Sequence, residues 1–292
     1  MKIGISGGSG LIGAHLIKKL VEDLNADIVL IPRKLLYGNV QELSKFMNAC
    51  ELIIHLSGAP VLCRWSSKNK EILRISRITT TKNLSAAIAL MEIKPKLFIS
   101  TSAVGIYDTK HIHDEYGLNY SNDFLGELCQ DWENAANEIK KQEVRTVIFR
   151  LGVVLSNKGG ALEKVLPIFR YGLGGKLGNG HQAFPFIHIN DLLNAYMFAI
   201  LNKEVEGTFN LTAPELVTNT DFTKTLSSIL KRPAVLPVPA FFLRVLFGKG
   251  ASVLLSGQKV LPKRLLNAGF TFKFPTLSTT LNSLLGNKLP NS

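Results

Sequence analysis

Three glycines set three apart, Gly7, Gly10 and Gly13, fall in the run Gly7-Gly8-Ser9-Gly10-Leu11-Ile12-Gly13. A short β-type segment precedes the run and a helical pattern follows it. In that setting Gly7 permits a tight turn, Gly10 lets backbone approach a pyrophosphate, and Gly13 lets the helix sit close to the strand. The backbone N–H groups that open the helix, those of Ser9, Leu11 and Ile12 among them, then face the anion, aided by the positive end of the helix dipole. The chemistry implied is retention of a dinucleotide.

Which dinucleotide is addressed by Ile31-Pro32-Arg33-Lys34. An NAD site usually offers Asp or Glu here to the ribose hydroxyls, and an acid would repel a 2′-phosphate. Arg33 instead offers a bidentate, charge-assisted contact to that phosphate, so NADP is expected over NAD. A small-residue turn, Leu56-Ser57-Gly58-Ala59-Pro60, lets the chain pass close to the same ligand.

The elements that must hold these residues follow from patterning. β-type runs occupy residues 2–6, 27–31, 52–56, 97–101, 146–151 and 208–211, with helical patterns between them. Ile12, Leu16, Leu20 and Leu24 form one apolar stripe, completing the first strand–helix–strand unit in about 30 residues. The fold class expected is α/β, a Rossmann-type doubly wound parallel sheet with a smaller, interwoven C-terminal substrate lobe. Residues 1–155 are read mainly as the NADP-binding core and 156–292 mainly as the lobe, with segments around 184–212 returning to the core. Residues 216–230 read as a helix capped by Asn219 or Thr220. The apolar stretch 237–255, interrupted by Arg244 and Lys249, reads as an amphipathic helix or helical pair and not as a span.

Of the 292 residues, 46% are hydrophobic and 19% charged, a globular and not a disordered balance. No targeting pattern opens the chain, and the three cysteines lack C-x-x-C spacing, so a reducing, cytoplasmic setting is expected. The formal charge of +12 is spread in short pairs such as Lys18-Lys19, without a nucleic-acid-binding signature. His111-x-His113-Asp114-Glu115 reads as a surface loop and not as a metal site. The expected partner is a small molecule, with no nucleic acid, membrane or metal.

Taken together, the motifs resemble the extended and atypical short-chain dehydrogenase/reductase superfamily. The resemblance narrows to a subfamily called epimerase family proteins, also named sugar-nucleotide epimerases or cell-division inhibitors. It rests on the glycine run together with Leu56 to Pro60, Arg64-Trp65, Ser76-Arg77 and Ser100 to Gly105. Further matches are Cys129 to Glu133, Arg150 to Leu155, Phe186-Ile187-His188, Asp191-Leu192, Asn210 to Pro214 and Leu261 to Leu265.

In this superfamily a Tyr-x-x-x-Lys helix supplies an acid/base phenol whose pKa the lysine lowers, and a Ser or Thr polarises the substrate. The resemblance implies Thr101 or Ser102 for that last role, with Ser102 the catalytic candidate and Thr101 and His188 beside the cofactor. Alignment on Glu133 puts Leu125 where the tyrosine belongs and Cys129 where the lysine belongs. Neither replaces phenol and ammonium. Tyr107, Tyr116 and Tyr120 are loop residues from which a substitute phenol could come, and Arg64, Trp65 and Tyr107 are substrate-contact candidates. Two functions are therefore carried forward. One is an NADP-dependent oxidoreductase or epimerase acting on a small carbonyl or nucleotide-sugar-like substrate. The other is a non-catalytic NADP(H)-binding sensor or regulator, linked by the subfamily's name to cell division.

Overall fold

Ile3-Gly4-Ile5, Leu52-Ile53-Ile54 and Leu97-Phe98-Ile99 are apolar at successive positions, the mark of strands covered on both faces, and every one of these residues is buried. The computed structural model describes residues 1–286. In chain order its strands are β1 (Lys2–Ser6), β2 (Asp27–Ile31), β3 (Leu52–His55), β4 (Leu97–Ala103), β5 (Ile112–His113), β6 (Arg145–Leu151), β7 (Val153–Leu155), β8 (Phe186–His188), β9 (Gly207–Leu211) and β10 (Lys259–Val260).

Six of them form one parallel sheet in the order β2-β1-β3-β4-β6-β9. These are the six segments expected from sequence, with ends moved by one or two residues. The chain runs outward from β1 to β2, then returns to β3 on the other side of β1. That reversal opens a crevice at the carboxyl ends of β1 and β3, where doubly wound sheets bind ligands.

Alternate residues of each strand enter two different cores. Ile3, Ile5, Ile54, Ile99 and Phe149 face one apolar layer, shared with Leu16 and Leu20 of the helix Leu11–Leu24. Ile53, Phe98 and Ile148 face the other, shared with Leu84, Ile88 and Ile139. Leu277, Leu281 and Leu284 of the C-terminal helix Leu277–Leu285 join the first layer, so one core runs through both halves of the chain.

Two short parallel ladders, β7 with β8 and β5 with β10, were not legible as strands. Each is two or three residues long and lacks a period of its own. The helix expected at 216–230 begins at Asn219, and Thr218, not Asn219 or Thr220, is its cap. Thr218 and Asp221 form a reciprocal capping box, while Asn219 accepts from Leu177 N and Thr220 donates to Gly180 O. The stretch 237–255 forms the helix Ala240–Phe247, a 3-10 turn and a short second helix, Ser252–Leu255. Among the described residues no helix is long and apolar enough to cross a membrane.

Candidate functional site

Gly7 leaves β1 with φ +76°, a left-handed conformation that side chains resist, and a Cβ there would lie 2.8 Å from the Leu56 carbonyl carbon. A Cβ on Gly13 would stand 2.4 Å from Gly7 O and 2.7 Å from Gly8 Cα. Gly10 differs, because a Cβ there meets only Gly7 O, at 3.3 Å, and otherwise open space. The helix Leu11–Leu24 starts from Gly10 with no side-chain cap and no acid in its first turn. Its leading N–H groups are thus free of internal competition for an anion. Glycine-rich backbone also closes in from the second half of the chain, where Gly159 and Gly160 lie against the Leu11 side chain.

Arg33 begins a one-turn helix directly after β2, is exposed, and stands 5.5 Å over the Tyr37 ring. Among the described residues it makes no ion pair. An uncommitted guanidinium at this strand end, an uncapped helix start and a Cβ-free approach at Gly10 together fit an NADP-type dinucleotide.

Beneath the crevice is a polar floor that the sequence did not announce. His55, at the end of β3 and paired in register with Ser6 and Ser100, is fully buried. Its Nδ1 lies 2.6 Å from Ser6 Oγ and its Nε2 3.3 Å from Thr80 Oγ1, while its carbonyl accepts from Thr101 Oγ1 at 2.6 Å. Thr101 therefore supports the floor through its hydroxyl. Burial, reinforced by nearby Arg77, lowers the His55 pKa from 6.5 to about 3. His188 is likewise lowered from 6.5 to about 4, by burial and then by Lys273.

Both imidazoles are neutral in the folded chain and take up protons only on unfolding once the pH drops below 6.5. Stability is then expected to be full above pH 6.5 and to fall as the pH is lowered toward 5. The slope approaches about 1.4 kcal/mol per pH unit for each histidine. Urea unfolding at pH 7, 6 and 5 checks this, and a stability that rose on acidification over that range would contradict it.

The register across β4, β6 and β9 sets Ser102 beside Arg150 and Arg150 beside Asn210. Glu133, from the helix Phe124–Lys140, reaches the same row. Arg150 Nε and Nη2 donate to Glu133 Oε1 and Oε2 at 2.8 and 2.7 Å, a bidentate pair with both partners buried. Ser102 Oγ donates to Glu133 Oε1 at 2.7 Å. Tyr107 accepts from Arg150 Nη1 at 2.6 Å and donates to Asn210 Oδ1 at 3.0 Å, and Arg150 Nη2 donates to Tyr120 at 3.2 Å. Glu115 accepts from the backbone N–H groups of Asn210 and Arg264, tying this loop to β9 and to the C-terminal segment.

Two of the candidate residues are engaged within this network. Ser102 has its hydrogen committed to a carboxylate and is 2% exposed. Tyr107 is wholly buried, stacked on His113 with ring centroids 4.6 Å apart, and burial pushes its pKa up to about 12. It anchors the loop through its bonds to Asp114 O and Asn210. Glu133 and Arg150 stand in the motifs that carry the family resemblance, but their pairing with each other across the helix and the sheet was not legible in the sequence.

Comparison with known proteins adds family membership to this geometry. The model of the NAD dependent epimerase/dehydratase family matches residues 3–212, and a domain of unknown function, DUF1731, matches residues 238–284. The chain belongs to the NAD dependent epimerase/dehydratase family. It is 36% identical to an epimerase family protein SDR39U1 homolog, chloroplastic, of Arabidopsis thaliana, covering 98% of this chain and 87% of that one. A Staphylococcus epidermidis epimerase family protein is 34% identical over 96% of this chain and 98% of its own. The crystal structure of human epimerase family protein SDR39U1 with NADPH superposes with a TM-score of 0.89 at 33% identity, covering 99% and 100% of the two chains. UDP-glucuronic acid 4-epimerase from Bacillus cereus, at 21% identity and a TM-score of 0.77 over 97% and 98%, shares the fold.

Set against the epimerase family's tyrosine–lysine pattern, the helix Phe124–Lys140 carries different chemistry. Leu125 presses on Gly105, where a Cβ would approach its Cδ2 to 2.5 Å. Cys129 is buried, and burial, with Glu133 adding to the effect and Arg77 opposing it, raises its thiol to about 12. It stays protonated and carries no charge at neutral pH.

The remaining candidates are held by their own sets of contacts. His188 caps the helix Ile189–Leu201, its Nδ1 accepting from Asn190 N at 2.9 Å, and its ring stacks on Phe274 at 3.8 Å. The ring is 1% exposed, and its Nε2 has no hydrogen-bond partner among the described residues. Arg64 donates to Val245 O, and Trp65 donates to Val61 O and packs edge-on to Phe124 at 5.1 Å. Both sit on the seam between the sheet domain and the segment 240–251. His111 and His113 both bond to Asp108, and among the described residues no metal-capable cluster of three or more forms.

Proposed function

We propose that this chain is an NADP(H)-binding protein whose cofactor serves sensing or regulation and not tyrosine–lysine catalysis. The cofactor is held at Gly7, Ser9, Gly10, Leu11, Ile12, Gly13, Arg33 and the Leu56-Ser57-Gly58-Ala59 turn, with Thr101 bracing that turn's strand from below. NADP(H) supplies a hydride when bound, and turnover by the family's usual route also needs a proton donor beside it. One observation carries the reading. The two positions to which the family resemblance assigns phenol and ammonium hold a packed leucine, Leu125, and a buried, protonated thiol, Cys129, while the Ser102 hydroxyl is bound to Glu133.

A second reading, an NADP-dependent oxidoreductase or epimerase on a small carbonyl or nucleotide-sugar-like substrate, draws support from Arg64 and Trp65 on the seam between sheet domain and lobe. Incubation with NADPH and a panel of aldehydes, ketones and sugar nucleotides separates the two. Tight cofactor binding without turnover supports sensing, and turnover with any of the panel overturns it. Three cysteines without a disulfide suit a reducing, cytoplasmic setting.

Cofactor preference rests on Arg33. Arg33→Ala is expected to weaken NADPH about tenfold or more while leaving NADH unchanged, as loss of a charge-assisted phosphate contact implies. Titration of both nucleotides reads this out, and equal affinities in the wild type would remove Arg33 from the 2′-phosphate.

A further inference from the structure

Pro237 and Pro239 end an extended segment and start the helix Ala240–Phe247 beyond it. The extended segment is itself pinned, because Leu236 N and Val238 N donate to Gly174 O and Lys176 O, and Gly178 N donates to Val238 O. The chain around 174–178 therefore runs beside 236–238. The helix is held from beneath by Leu243, its one buried side chain, and from the sheet domain by Arg64, which donates to Val245 O. Residues four apart share a helix face. Phe241 with Val245 and Phe242 with Leu246 thus form two adjoining rows, and all four side chains are more than half exposed. Tyr171 and Val235, on the neighbouring segments, are exposed at 82% and 74%. So large an apolar patch in water marks a surface that meets something else.

The charge around the patch narrows what it meets. No Asp or Glu occurs between Lys164 and Asn190, or from Phe222 onward. The exposed bases of these stretches, Arg170, Lys176, Lys231, Arg232, Arg244 and Lys249, form no ion pair among the described residues. A second copy of the chain would set like charge against like in a two-fold contact, which disfavours self-association. An anionic partner is complementary.

Beside the helix lies a recess of about 260 Å³, lined by Gly178, Asn179, Gln182, Ala240, Arg244 and Leu255. Asn179 Oδ1 accepts from His181 N, and the Gln182 amide donates to Leu177 O and Leu254 O. The Arg244 guanidinium and the Asn179 amide hydrogens are the donors left for a ligand, and a carboxylate suits both. Ala240 and Arg244, one turn apart, set this recess next to the Phe241–Val245 row. A discrete pocket beside an apolar ridge takes a side-chain anchor, and a carboxylate flanking apolar residues is what an amphipathic helix presents.

We propose that this face docks a second protein through an acidic amphipathic helix, whose apolar side chains lie on Phe241, Phe242, Val245 and Leu246 and whose carboxylate enters the recess at Arg244. None of these residues belongs to the proposed cofactor site, so the inference stands apart from the NADP reading.

The test uses the full chain and two synthetic peptides of about 18 residues, five helical turns, with the same leucines and phenylalanines on one face and either glutamate or lysine on the rest. Fluorescence anisotropy is expected to show the glutamate peptide binding at least about tenfold more tightly than the lysine peptide, and more weakly as salt is raised. Joint Phe241→Ser and Val245→Ser changes should weaken it by about tenfold or more, and Arg244→Gln by about threefold to tenfold. Thermal melts check that the variants fold, and Arg244→Gln decides the outcome where the serine variant melts early. No binding of the glutamate peptide, equal binding of both peptides, or binding undiminished by Arg244→Gln would overturn the proposal. Displacement of the glutamate peptide by vesicles of phosphatidylglycerol and phosphatidylcholine would overturn it as well, by assigning the face to a lipid surface.

Discussion

Gly13→Ala is expected to abolish measurable NADPH binding and to lower the melting temperature by several degrees. The added methyl would lie 2.4 Å from Gly7 O, 2.7 Å from Gly8 Cα and 2.9 Å from the Gly8 carbonyl carbon. All three are backbone atoms of a turn already fixed by Gly7 at φ +76°, so no side chain can swing aside. Relief requires the helix Leu11–Leu24 to move off β1, which disturbs the packing of Leu16 and Leu20 and displaces the N–H groups meant for the pyrophosphate. Overpacking of this kind costs about 1–3 kcal/mol. Gly10→Ala is the informative partner, because its methyl meets only Gly7 O, at 3.3 Å, and the fold accepts it. That variant should melt as the wild type does yet bind NADPH at least about tenfold more weakly, since a methyl occupies the anion's approach. Thermal melts and calorimetry on the two variants separate folding from binding. Wild-type affinity in Gly10→Ala would place the pyrophosphate elsewhere.

Glu133→Ala should be the most destabilising single change in the polar network, at about 3–5 kcal/mol. It leaves the Arg150 guanidinium buried with only two phenols beside it, and it frees the Ser102 hydroxyl with no acceptor in place. Glu133→Gln keeps the shape and an acceptor oxygen, so its loss should be smaller. Arg150→Met removes the complementary charge, and the double variant should lose less than the two single losses combined, because each single change strands a buried charge and the double strands none. Equilibrium unfolding in urea measures all four chains. A Glu133→Ala loss below about 1 kcal/mol would mean that the pair is solvated in solution and does not lock the loop.

The same network explains why catalysis by the usual residues is a poor fit to this chain. Three groups with suitable chemistry, Ser102, Tyr107 and Tyr120, cluster at the carboxyl ends of β4 and β6. Each is already engaged by Glu133 or Arg150. What holds the loop in place thus also commits the hydroxyl hydrogens of Ser102 and Tyr107, whereas Tyr120 accepts from Arg150 and keeps its own hydrogen.

The glycine turn, the strand and helix periods, Arg33 and the loss of the tyrosine–lysine pair are all written locally. Gly7, Gly10 and Gly13 lie within one turn and one helix start, and Ile3 to Ile5 or Leu52 to Ile54 carry their burial in their own side chains. Local sterics and solvent transfer act over a few residues, so a reader of the sequence meets the cause and the effect together. The fate of Ser102, Tyr107 and His188 depended instead on neighbours far along the chain. Arg150 meets Ser102 and Asn210 because β6 lies between β4 and β9, and His188 is sealed by Phe274, 86 positions later. Whether a polar side chain faces a ligand or a buried partner is set by strand order and by what packs over it. Desolvation and pairing are properties of that three-dimensional neighbourhood, and no spacing in the sequence encodes them.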